Sequence, residues 1–132
     1  MSKKQMPILI DTNIMVHHLK SEIEQVKELI DAGLAVTHPF VLAELALGSL
    51  SDREMTMAAL EIMPLLPVAD YHEVRDLIEV PKLYTRGIGF VDAHLIASLL
   101  IVGIPVDLWT DDVSLAAVAK DFGFLATPPF NL

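Results

Sequence analysis

The sequence predicts an α/β fold in which helices cover both faces of a parallel sheet of four or five strands. Three observations predict it. Short apolar runs recur along the chain, separated by stretches in which apolar residues follow a helical period. Gly and Pro punctuate the joins between them. Strands separated by helices require crossover connections, and crossovers belong to parallel sheets. The 132 residues match the usual size of one domain, which buries roughly two-thirds of its unfolded surface, so a single domain over residues 1–132 is expected. With 53% hydrophobic and 20% charged residues, the chain can build a core and is not disordered.

Each element has a local reason. Ile8, Leu9 and Ile10 after Pro7 form the first strand, and Asp11, Thr12 and Asn13 can cap the helix that follows over residues 14–19. Over residues 21–32, Ile23, Val26, Leu29 and Ile30 recur at helical spacing with Glu22, Glu24, Lys27 and Glu28 outside, until Gly33 stops the helix. Residues 34–37 are the second strand. Pro39 suits the first turn of a helix that reaches Leu47 and ends at Gly48. Ser51 and Glu54 have the spacing of a capping box for a helix to Met63, which Pro64 ends. Residues 66–68 form a third, short strand. Asp70 and Glu73 repeat the capping spacing ahead of a helix over 71–80, which Pro81 breaks, and residues 82–89 read as loop or frayed helix. Residues 90–102 are a nearly continuous apolar helix closed by Gly103, the pattern of a helix packed on more than one side. A strand over 104–109, an alanine-rich helix over 114–122 stopped by Gly123 and a last strand over 124–126 complete the series.

Composition narrows the function. Eighteen acidic against nine basic residues give a net charge of −9, which argues against a basic surface that grips nucleic acid by neutralising phosphates. A polyanionic substrate would need cations between it and the protein. Cysteine is absent, which excludes disulfides, thiolate metal sites and a Cys nucleophile. The five histidines lack zinc-site spacing and are expected at the surface or in packing; His94 stands about 200° around its helix from Asp92 and should not share ligands with it. The methionines, including Met55, Met57 and Met63, are expected on a core-facing or dimer-facing helix. The strongest uncharged apolar stretch, residues 95–105, has 11 residues, short of the ~20 that span a membrane. Asp11 interrupts the apolar run behind Lys3 and Lys4, and no cleavage site follows. A cytoplasmic protein without membrane attachment is therefore expected.

Several acids sit where a neutral residue would be cheaper. Asp11 directly follows the first strand, and Asp111 and Asp112 follow the strand that ends near Trp109. In a parallel sheet these positions share the carboxyl edge, where open α/β sheets bind ligands. Asp92 lies in the first turn of the most apolar helix, and Glu44 sits inside Val41-Leu42-Ala43-Glu44-Leu45-Ala46-Leu47. Taken singly, Asp11 could cap a helix, Asp92 could answer a helix dipole, Glu44 could face solvent and the Asp111-Asp112 pair could form a turn. Taken together, acids at the ends of separate strand–helix units, with no matching Lys or Arg in the adjoining apolar runs, point to an oxygen-ligand site for a hard cation such as Mg²⁺ or Mn²⁺.

Ile8-Leu9-Ile10-Asp11-Thr12-Asn13, then Val41-Leu42-Ala43-Glu44-Leu45, then Gly89-Phe90-Val91-Asp92-Ala93-His94-Leu95-Ile96-Ala97, then Leu108-Trp109-Thr110-Asp111-Asp112 resemble, in that order, the PIN-domain ribonucleases. The likeness is strongest to the VapC-type toxins of prokaryotic toxin–antitoxin pairs, and it runs over essentially the whole chain. It implies a three-layer α/β/α sandwich and an acidic pocket that binds one or two Mg²⁺ or Mn²⁺ ions and cuts RNA with a metal-activated water. By the same resemblance Asp11, Glu44, Asp92 and Asp112 are the catalytic, metal-binding acids, with Asp111 the alternative at the fourth position. The alternating direction of extended chain places Asp112 on the side of Thr110. Asn13 and Thr110 match the polar residues that order the carboxylates, and Arg86 in Thr85-Arg86-Gly87-Ile88 is a candidate phosphate contact. The implied partners are RNA, a VapB-type antitoxin and a second copy of the chain in a homodimer. Two rivals keep a related fold. A non-catalytic Mg²⁺-binding regulatory or adaptor module of receiver type would need a Lys on a late strand, and residues 104–110 contain none. A flap nuclease would need a helical arch or basic clamp for which 132 residues leave no room.

Overall fold

The structure is a computed structural model that describes residues 5–132; Lys3 and Lys4 lie outside the described residues. Strands β1 (Ile8–Ile10), β2 (Ala35–Val36) and β3 (Asp107–Trp109) form one sheet in the order β2-β1-β3, and both pairings are parallel. Ile8 stands opposite Ala35 and Asp107, and Leu9 opposite Val36 and Leu108. Seven helices flank the sheet among the described residues: α1 (Thr12–Lys20), α2 (Glu24–Asp31), α3 (Pro39–Leu47), α4 (Arg53–Glu61), α5 (Tyr71–Glu79), α6 (Phe90–Ile101) and α7 (Val113–Asp121). This is the predicted α/β fold with a parallel sheet. A 3₁₀ turn, Leu83–Thr85, occupies part of the expected loop before α6.

The expected third and fifth strands shrink to single parallel bridges, Thr37 with Leu65 and Leu108 with Leu125. Prolines set both limits. The Leu66 amide donates to the Thr37 carbonyl at 2.9 Å, but two residues later the partner carbonyl would be that of Pro39, already in α3. On the other edge the Ala126 amide donates to the Leu108 carbonyl at 2.8 Å, and the next donor in that ladder would be Pro128, which has no N–H.

β1 is fully buried at all three positions, as is Leu108 of β3, the signature of a parallel sheet covered on both faces. Around them pack Ile14 and Met15 of α1, Val26 and Leu29 of α2, Leu45 of α3, Leu95 and Ile96 of α6 and Leu115 and Val118 of α7. Helix α6 is buried at seven consecutive residues, from Ala93 to Leu99. Its Ala93 and Ala97 receive Val74 of α5, so α6 is covered on a second side as its apolar run requires. Two helices stop by the same device. Gly33 (φ 71°) and Gly123 (φ 81°) follow α2 and α7, and the amides of Leu34 and Phe124 reach back to the carbonyls of Leu29 and Ala119, both at 2.8 Å. Only glycine enters that left-handed turn without steric cost, and the turn aims the chain back along the sheet.

One capping box forms and one does not. At α5 the Asp70 carboxylate accepts from the Glu73 amide at 2.8 Å and Glu73 accepts from the Asp70 amide at 2.9 Å. Asp70→Ala should lower stability by about 1 kcal/mol in urea titration. The expected Ser51 cap is a correction. Asp52 precedes α4 with φ 46° and no side-chain cap, the Ser51 carbonyl accepts from the Thr56 hydroxyl, and the Arg53 guanidinium caps the end of α3 at the Ala46 and Gly48 carbonyls. Arg53 thus joins the end of α3 to the start of α4, and Asp52 rather than Ser51 occupies the capping position.

Candidate metal centre

The chain leaves central β1 for β2 on one side and reaches β3 on the other. The crevice beyond the carboxyl ends of β1 and β3 is therefore the topological switch point, where open α/β sheets bind ligands. Asp11 and Thr110 flank it. The Asp11 amide prolongs the ladder by donating to the Trp109 carbonyl at 3.0 Å, which carries the Asp11 carboxylate to the sheet edge. Thr110, buried, donates its hydroxyl to Asp11 Oδ2 at 2.6 Å and accepts from the Asp112 amide at 3.0 Å. Its one proton is therefore committed to the Asp11 carboxylate. The Asp112 carboxylate caps α7 by accepting from the Leu115 amide at 2.9 Å.

Asp11 caps α1 as well, accepting from the Thr12 amide on Oδ1 at 2.8 Å. The Thr12 hydroxyl donates to Glu44 Oε1 of α3 at 2.8 Å. Asp92 enters from the first turn of α6. Burial pushes the Asp92 carboxyl up to about 6, helped by the charges of Asp11, Asp112 and Glu44 and opposed by a hydrogen bond from the Gly89 amide. Burial also raises Asp11, joined by the Glu44 and Asp112 charges and opposed by the Thr110 and Thr12 hydrogen bonds. Glu44 and Asp112 thus act electrostatically on both Asp11 and Asp92, although the four are as far apart in sequence as residues 11 and 112.

Among the described residues no Lys or Arg pairs with these four acids; Arg75 pairs with Glu79, and Arg86 with Asp121 at 2.8 Å. Nor, among the described residues, are three His, Cys, Asp or Glu side chains gathered closely enough to hold a metal ion as they stand. The donor set is carboxylate oxygen throughout, left without a compensating cation, which fits Mg²⁺ or Mn²⁺ better than a softer metal.

The remaining expected residues fall less centrally. Asp111 is exposed and is not among the charges that act on Asp11 or Asp92, whereas Asp112 is. Asn13 is exposed and makes no hydrogen bond to the acids among the described residues; Thr12, which sequence reasoning passed over, performs the ordering expected of it. Nothing in the sequence separates the two, since both adjoin Asp11 and both carry polar side chains. The turn into α1 decides which of them faces α3. Arg86 is tied to Asp121 rather than standing free for phosphate.

The histidines divide between packing and surface. His38 is fully buried, accepts from the Phe40 amide on Nδ1 at 3.0 Å, and so donates from Nε2 to Ser98 Oγ at 2.9 Å. Burial and the neighbouring His94 push it down to about 4, and the ring is neutral. His94 packs edge-on against Phe40 and Phe90, each at 4.6 Å between ring centroids. Met63 is buried and Met57 packs on the core, while Met55 is exposed.

The family model described as PIN domain matches residues 8–121, a span that contains all four acids. Two curated relatives, both called Ribonuclease VapC32 and both from Mycobacterium tuberculosis, strains CDC 1551 / Oshkosh and ATCC 25618 / H37Rv, are each 37% identical over 116 residues. The matched region covers 88% of this chain and 93% of each relative.

Proposed function

The chain belongs to the PIN domain family, and from that premise we propose that residues 1–132 act as one metal-dependent endoribonuclease domain, the toxin of a type II toxin–antitoxin pair. One observation carries the reading. Asp11 and Asp92, beside the switch point of the sheet, both feel the charges of Glu44 and Asp112, and among the described residues no Lys or Arg pairs with any of the four. Asp11 and Asp92 are both raised, first by burial and then by the neighbouring acids, the kind of perturbation that clusters at functional sites.

Divalent cations bound there would supply a water activated at neutral pH and neutralise the scissile phosphate. The chain's own part is to hold the ligands. Thr110 fixes one oxygen of Asp11, and the Thr12 amide fixes the other. Asp112 is anchored by its cap on α7, and Asp92 rides on the most deeply buried helix of the fold. Glu44, on the exposed side, closes the set through Thr12. The acidic surface then meets a polyanionic substrate only through the ions, which reconciles the net charge of −9 with RNA.

The antitoxin and homodimer readings draw support from the likeness to the relatives called Ribonuclease VapC32. A VapB-type antitoxin would offer the acidic pocket a basic side chain, as arginine pairs with carboxylates in bidentate fashion. No helix among the described residues is long and apolar enough to cross a membrane, and the reading places the protein in the cytoplasm.

The test is cleavage of a structured RNA by the purified, antitoxin-free chain in Mg²⁺ or Mn²⁺. Cutting that stops in EDTA and returns with excess metal is the expected result; cutting that persists in EDTA would sink the metal mechanism.

A further inference from the structure

Glu44 is the least constrained of the four acids. It projects from α3 at an exposed position, and a glutamate side chain that is left free spreads over many rotamers. Its charge acts on the Asp11 and Asp92 carboxylates, which repel it. Among the described residues its one hydrogen bond comes from the Thr12 hydroxyl at 2.8 Å.

Thr12 is well suited to direct a neighbour. It is the first residue of α1, half-buried, and its branched Cβ restricts the hydroxyl to few positions. Its amide is held by Asp11 Oδ1 at 2.8 Å, and α1 packs on α3. One residue therefore joins the acid that caps α1 to an acid within α3, the N–H on Asp11 and the O–H on Glu44. We propose that Thr12 is a positioning residue that holds Glu44 in ligating position beside Asp11. The proposal rests on the reading of the four acids as a divalent-cation site.

The consequence differs from that of a stabilising contact. An exposed hydroxyl–carboxylate hydrogen bond adds little to folding, whereas groups that orient metal ligands typically govern affinity by 10- to 100-fold, roughly. Mn²⁺ binding to the full chain, followed by calorimetric titration, separates the two. T12V is expected to bind Mn²⁺ about 10- to 100-fold more weakly at nearly unchanged melting temperature, and T12S, which restores the hydroxyl, to recover wild-type affinity. T12A removes the hydroxyl without a new methyl group and should match T12V. In an E44Q background the T12V change should have almost no further effect, because Thr12 acts through Glu44.

Wild-type affinity in both T12V and T12A overturns the proposal while leaving the metal site intact. An equal loss on adding T12V to wild type and to E44Q overturns it too, since Thr12 would then act by another route. Absence of Mn²⁺ binding by the wild type overturns the site reading itself, and the role of Thr12 with it.

Discussion

Asp92→Asn should lower metal-supported RNA cleavage on the order of 10³-fold, the scale on which loss of one charge-stabilising group in a preorganised site is felt. The substitution keeps the shape of the side chain, removes its charge and exchanges one acceptor oxygen for an NH₂ donor. Asp92 sits in the first turn of α6, whose next seven residues are buried, so the amide inherits a fixed position and the helix keeps its packing. Relief of repulsion from Asp11, Asp112 and Glu44 means that the apo variant should be at least as stable as wild type. Circular dichroism and melting therefore serve as controls. Asp111→Asn is the matched comparison, an equal change of charge one residue from Asp112 at an exposed position, and it should cut at close to the wild-type rate. Near-wild-type cleavage by the Asp92 variant, or a loss in the Asp111 variant as large as that in the Asp92 variant, would remove the four-acid site from the mechanism.

What the sequence discloses about this fold depends on how local the cause is. The strand at Ile8–Ile10, the helix entered through Pro39 and the capping box at Asp70 are set by neighbours in the chain, and each is found within a residue or two of its expected place. Asp11, Glu44, Asp92 and Asp112 stand out for a related reason, since an acid beside an apolar run conflicts with its own surroundings. Features decided by distant partners are not legible in this way. Whether residues 124–126 make a strand depends on whether the ladder on Leu108 can continue, and Pro128 stops it. Ser51 loses its cap because α4 starts a residue later, after Asp52 in the left-handed region, while Arg53 reaches to the carbonyls of α3. Thr12 and Asn13 are equivalent on paper until the packing of α1 on α3 turns one toward Glu44 and the other to solvent.

Stability should report the charged cluster without any substrate, and its pH dependence has a definite sign. Asp92 has a folded pKa of about 6 against ~3.9 in an unfolded chain. Between those values the folded protein binds more protons than the unfolded one, so the Asp92 contribution to stability is present below ~4 and is lost as pH rises through about 6. Allowing for solvent screening of a half-exposed group, the loss is about 1–2 kcal/mol. His38 runs the other way. Its folded pKa is depressed to about 4, so its contribution is present above the ~6.5 of a free imidazole and lost as pH falls through about 4. The two slopes oppose each other in the same window, which makes the wild-type profile alone uninformative. The difference between wild type and Asp92→Asn isolates the carboxylate. In EDTA the variant should gain on wild type as pH goes from 5 to 7. Mn²⁺ reverses the order at pH 7. Binding to the folded state adds about 2.7 kcal/mol at a hundred times Kd, and wild type should collect it while the variant, short of one ligand, collects much less. The wild-type gain should shrink at pH 5, because ligand carboxylates must be deprotonated to bind. Urea titrations of both proteins at the two pH values, in EDTA and in Mn²⁺, cover every arm. Equal Mn²⁺-induced gains in wild type and variant would show that Asp92 holds no ion, and a wild-type-minus-variant difference in EDTA that stays flat from pH 5 to 7 would show that its carboxyl is not raised by burial among the other acids.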